Sequence, residues 1–139
     1  MEMVCGIEIS GNNATIVLLK GKKSEYSIVK SEFKKIKFED DGDQKKIKSF
    51  HETLENLMDQ NKVDIICIRK PSASGKFTAS PTAFKIEAVL QLCSVQVELM
   101  HPTKIAAIIK KSIIPEEKYE VVHKYQWLAF EVAFCNLED

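Results

Sequence analysis

Glu8 and Arg69 are the residues whose types and positions most invite chemistry. Glu8 stands between Ile7 and Ile9 in VCGIEISGNNATIVLL, an apolar run that carries one acid. Arg69 and Lys70 follow the apolar run VDIICI, and Lys76, Ser80 and Lys85 lie in and after the loop KPSASGKFTASP. A buried carboxylate can hold a cation or move a proton. Bases gathered near a helix start suit anions, because the first N–H groups of a helix lack intrahelical partners and carry partial positive charge. Arg69, Lys70, Lys76, Ser80 and Lys85 therefore form a candidate phosphate or nucleic-acid site beside Glu8. The simpler reading has Arg69 neutralising Glu8 from the next strand, Lys76 in solvent and Ser80 as an ordinary helix cap.

Other chemistries find less support. SASGK has no Gly four residues before Gly75 and no Ser or Thr directly after Lys76, so it is not a P-loop. His101 and His123 have no Cys or Ser nucleophile at a recognisable spacing. His51 sits beside Phe50 on its helix without a companion ligand and reads as structural or exposed. Cys5, Cys67, Cys93 and Cys135 sit singly in apolar sequence, as small buried hydrophobes of a reducing compartment do. No metal site and no cofactor are expected from these spacings.

The chain has 139 residues, 45% hydrophobic and 29% charged, which fits one domain over 1–139 with a substantial core. Twenty basic residues balance twenty acidic ones. Lys62 to Lys85 nevertheless holds five bases against Asp64, so a local basic patch is compatible with zero net charge. MEMVCGIEIS lacks the basic start and apolar core of a secretory leader, and no apolar run nears the ~18 residues of a membrane span. A cytoplasmic protein with no membrane partner is expected.

The elements that must position these residues follow from the pattern. Met3–Ile9 and Ala14–Lys20 are β-rich runs joined by Ser10-Gly11-Asn12-Asn13, a hairpin signal. Glu25 to Lys37 supplies a Lys-rich third strand with Tyr26, Ile28, Phe33 and Ile36. Ile47, Phe50, Leu54, Leu57 and Met58 mark a first helix, and VDIICI a strand covered on both faces. Ser80 and Pro81 begin a second helix with Ile86, Val89, Leu90 and Cys93 inward. Val95–Met100 is a further strand, Pro102 opens a short helix, and Pro115 starts a long one to about Leu137. A meander followed by right-handed crossovers gives a five-stranded mixed α/β sheet in the order 3-2-1-4-5, flanked by helices. Glu8 then lies near the end of the parallel strands, where ligands bind in open α/β sheets.

That arrangement is ribonuclease H-like. VCGIEISGNNATIVLL resembles the first hairpin of RuvC-type Holliday junction resolvases, VDIICIRK their fourth strand, and YQWLAFEVAFC their last helix. CGIEI, GKF, FKIEAVLQL and AFEVA are similar to domain of unknown function family 3010, a bacterial family taken to share the RuvC-like fold. The resolvase resemblance puts the first-strand aspartate on Glu8 and the fourth-strand glutamate on Arg69, a reversal of charge. The final-helix acids fall around His123 and Gln126, which then line the site without a carboxylate. Glu131 lies about one and a half turns further along. Glu87 and Glu131 could replace the missing acids, but each is expected on a solvated helix face.

The expectation is a RuvC-like domain whose catalytic set is dismantled, leaving Glu8 as a relic, and which binds nucleic acid or another phosphate-bearing ligand. One alternative is a nuclease rearranged around Glu8, which would use magnesium or manganese. The other is an assembly module, a homodimer through the aromatic final helix with Tyr125 and Trp127.

Overall fold

The computed structural model describes residues 2–39, 42–72 and 79–139. Its elements are β1 (Met3–Ser10), β2 (Asn13–Lys22), β3 (Glu25–Val29), β4 (Lys35–Lys37), α1 (Gln44–Gln60), β5 (Ile65–Arg69), α2 (Pro81–Gln91), β6 (Gln96–Met100), α3 (Pro102–Lys111), α4 (Glu116–Val121) and α5 (Trp127–Cys135). A 3-10 turn at Lys124–Gln126 leads into α5. The sheet runs β3-β2-β1-β5-β6, with β4 also paired to β2. β1, β5 and β6 are parallel and the pairs on the β2 side antiparallel, the mixed sheet that the sequence implies.

The pleat sorts side chains onto two layers. Cys5, Ile7, Ile9, Ile66 and Ile68 pack with Leu54 and Leu57 of α1 and Ile86 and Leu90 of α2. Val4, Val17, Leu19 and Cys67 pack on the other face with Ala129, Phe130, Ala133 and Phe134 of α5. Burial on both faces accounts for the nearly unbroken apolar character of β1 and β5. Among the described residues, no helix is long and apolar enough to cross a membrane.

Two expected elements are broken. The single strand over Glu25 to Lys37 is two: β3 pairs with Leu18–Lys22 and β4 with Asn13–Thr15 of β2. Tyr26 and Ile28 pack on the α5 layer, whereas Ile36 and Phe38 pack on the α1 layer. Ile28 and Ile36 are eight residues apart, an even spacing that one regular strand would keep on a single face, so the chain must break between them. Phe38 then stacks on Phe50 with ring centroids 4.7 Å apart.

The helix expected from Pro115 to Leu137 is also interrupted, because Val122 and His123 are extended. That interruption lets the Gln126 amide reach the sheet. Its Nε2 donates to the Ile16 carbonyl at 3.0 Å, and its Oε1 accepts from His123 N at 3.0 Å. Apolar spacing, which the two segments share, carries no trace of this anchor.

α5 lies directly on β1 at Gly6. A Cβ there would stand 2.1 Å from the Ala129 carbonyl oxygen and 2.8 Å from Ala133 N, both backbone atoms that cannot swing aside. Gly11, in the β1–β2 turn, has open space around it but a φ of +59°. Gly6→Ala is therefore expected to cost about 3 kcal/mol or more by overpacking, whereas Gly11→Ala costs about 1–2 kcal/mol of left-handed backbone strain. Urea unfolding of the two variants against wild type measures both.

Candidate functional site

The parallel register of β1 and β5 ends at Ile7 and Ile68, so Glu8 and Arg69 stand one step beyond the last pair. By alternation both belong to the α5 layer. They face an open cleft of about 370 Å³ at the carboxyl ends of the parallel strands, lined also by Ser10, Gly11, Lys70, Ser72, Ser80, Pro102 and Leu128. Two helices begin at this cleft. Ser80 caps α2, its Oγ accepting from Ala83 N at 3.3 Å, and Pro102 is the first residue of α3. The site thus brings together one carboxyl, one guanidinium and two helix N-termini.

Glu8 is half-buried. Loss of solvent raises its carboxyl above the ordinary value, and the nearby Arg69 guanidinium opposes that rise. Among the described residues Glu8 and Arg69 do not close into an ion pair, so Arg69 acts on Glu8 from the neighbouring strand by its charge alone. Arg69 also borders a second hollow, of about 340 Å³, with Ile105, Ala106, Ile109 and Glu131. With Pro102 and Leu128, which also line both, it forms the wall between the two.

Lys70, the next residue, points to the other layer and meets α2. Its Nζ donates to both Glu87 carboxylate oxygens, at 2.7 and 3.0 Å. Glu87 is therefore not on a solvated face: its side chain is 9% exposed, held under the Lys70 ammonium. The pleat has split the basic pair, and most of the Lys70 charge is spent inside the protein.

Residues 1–136 match the family model described as "Protein of unknown function (DUF3010)". The chain belongs to the DUF3010 family. No curated protein matches its sequence. Among solved structures, it is similar to Thermus thermophilus RuvC at 10% identity, over 95% of this chain and 91% of the other, with a TM-score of 0.69. It is similar also to T. thermophilus RuvC in complex with a Holliday junction substrate, at 9% identity, over 96% and 91%, with a TM-score of 0.65. At such identities the likeness shows the fold, and this DUF3010 protein has the RuvC-like ribonuclease H fold.

The remaining expected site residues of the DUF3010 chain are scattered. Lys76, with Phe77, lies outside the described residues. Lys85 is exposed on α2 and does not line the cleft. His123 and Gln126 line a different hollow, beside β2 and β3. Gln126 is held there by the Ile16 carbonyl, and the exposed His123 stacks on Tyr125. In their place α5 presents Leu128 to the cleft. Glu131 is half-buried rather than solvated, and it accepts a 2.8 Å hydrogen bond from the Tyr119 hydroxyl, tying α4 to α5. Apolar spacing could have suggested Leu128, since it lies next to the buried Ala129. Nothing in the sequence pairs Glu87 with Lys70.

The donor set does not fit a pair of magnesium or manganese ions. Two cations about 3.5–4 Å apart need several carboxylates, and Glu8 is the one acid among the described cleft residues. A guanidinium stands where the fourth-strand acid would be.

Two outcomes follow from this geometry. Lys70→Met strands a buried carboxylate and should cost about 2 kcal/mol, less than a fully buried pair because the Lys70 side chain is 29% exposed. Lys70→Met with Glu87→Leu should recover most of that loss, as a double-mutant cycle in urea would show. For Glu8 the folded carboxyl binds its proton more tightly than the unfolded one. Its favourable contribution is thus complete below the ordinary carboxylate value of 4.5 and is lost as pH rises through the folded value. Glu8→Gln should match wild type in stability at the acid end and exceed it modestly at neutral pH, read from thermal midpoints across the range.

Proposed function

We propose that the cleft between Glu8 and the starts of α2 and α3 binds a phosphate-bearing ligand, with nucleic acid the leading class, and that it does so without two-metal hydrolysis. Arg69 carries the reading. It stands on the cleft face of β5 one step past the register with Glu8, a position where a planar guanidinium can accept a phosphate on two N–H donors. Free N–H groups at the first turns of α2 and α3 add to the attraction, and Glu8 would favour a ligand group that donates a hydrogen bond. Lys76 belongs to the same proposal on the sequence alone, as does a cytoplasmic location. The RuvC-like fold supports a ligand at this end of the sheet, while the mismatched donor set argues against the resolvase reaction.

Fluorescence anisotropy with four-way junction, duplex and single-stranded oligonucleotides at low salt tests the proposal. Wild type is expected to bind with an affinity that falls as salt rises. Arg69→Ala should weaken it by roughly 10- to 100-fold, the worth of a charged hydrogen bond, and flatten the salt slope by about one phosphate. Absence of binding, or equal binding by Arg69→Ala, would refute it. Junction cleavage with magnesium or manganese that disappears in Glu8→Gln would replace it with a rearranged nuclease.

A further inference from the structure

At the opposite end of the parallel strands, His51 and Glu55 of α1 meet Cys93, just past the end of α2. The two α1 residues are four apart and share a helix face. Cys93 arrives from a chain segment that passes through β5 and α2 first, so the trio exists only in the fold. A ring nitrogen of His51, a carboxylate oxygen of Glu55 and the Cys93 Sγ all lie within 4.8 Å of one another. We propose that these side chains bind a divalent transition-metal ion of borderline softness, zinc in the first instance.

Four observations support the site. First, His51 Nε2 is buried with no hydrogen-bond partner among the described residues, an uncommon state for a buried polar atom unless something else satisfies it. Second, Glu55 is already oriented. Its Oε1 accepts from Ser94 N at 2.7 Å and its Oε2 from Ser94 Oγ at 2.6 Å, the kind of outer contacts that fix metal-binding carboxylates. Third, one sulfur, one nitrogen and one oxygen donor suit zinc, whereas magnesium and calcium prefer oxygen alone. Fourth, Glu55, though not His51 or Cys93, borders an open hollow of about 350 Å³ with Ser94, Met58, Asp59 and Lys62, so an ion can approach from the carboxylate.

The change required is small. Zinc bonds of about 2.0–2.3 Å place tetrahedral ligands roughly 3.3–3.8 Å apart, so the trio need close by only about 1 Å. As the ion binds, the Cys93 S–H proton passes to solvent and a sulfur–metal bond forms, with no change of oxidation state. The bound ion would join α1 to α2 behind the sheet, independently of the Glu8 cleft.

The test uses full-length protein stripped with a chelator and titrated with zinc or cobalt(II) alone. Expected are one equivalent of tight binding, a raised thermal midpoint, and a thiolate-to-cobalt charge-transfer band with tetrahedral d–d bands. Cys93→Ser should abolish the charge-transfer band. His51→Gln, a change at a partly exposed residue whose folding circular dichroism can verify, should weaken binding beyond the roughly 10- to 100-fold cost of losing an outer contact. Cys135→Ala, in the other layer, should leave binding unchanged. Substoichiometric binding, a wild-type cobalt complex without the thiolate band, or unaltered affinity in His51→Gln would overturn the proposal. The wild-type spectrum decides even if a variant fails to fold.

Discussion

The contact of α5 with Gly6 is the constraint on which the rest of this structure depends. Helix and strand backbones approach so closely that a single methyl group would meet a carbonyl oxygen. Small residues on α5, Ala129 and Ala133, complete the fit. Gln126 fixes the helix at its start by bonding to the backbone of β2, so the helix has little freedom to slide. Its height over β1 in turn decides that Leu128 meets the cleft and that Glu131 stands behind Arg69.

Electrostatics at the cleft are set by which charges remain available once the protein's own needs are met. Lys70 is committed to Glu87, and Glu131 accepts from Tyr119. Glu8 and Arg69 remain, facing the same space without closing on each other. A carboxyl held partly out of water, a guanidinium and two helix starts make a neutral but strongly polarised surface. Such a surface complements alternating donors and acceptors better than it complements a cluster of bare cations.

Much of the fold was legible in the sequence because it rests on local signals. The Gly11-Asn12 hairpin, the Ser80 cap followed by Pro81, and the unbroken apolar runs of β1 and β5 each follow from residues close in the chain. The strand order and the adjacency of Glu8 and Arg69 then follow from connection rules. What escaped was decided by contacts between distant segments. The break at His123 needs the Ile16 carbonyl, the burial of Glu87 needs Lys70, and the approach of Cys93 to His51 needs the turn after α2. The divided third strand is the exception, since its change of spacing after Ile28 was visible and was outweighed by overall β character. Lys76 and Phe77 fall outside the described residues, so that part of the loop stays a sequence reading.

The alternation of β5 has a consequence for how this protein can vary. Arg69 and Lys70 are covalent neighbours, yet one faces the cleft and the other serves the scaffold. Substitutions at the first can therefore alter the chemistry of the cleft wall while the ion pair below it continues to hold α2 in place. Deleting one residue from the strand would not offer that freedom: it would set Lys70 in the place of Arg69 beside Glu8, draw the arginine back into the buried place of Ile68 and leave Glu87 without its lysine. Point replacement is thus the open route for change at this cleft, and a shift in length the closed one.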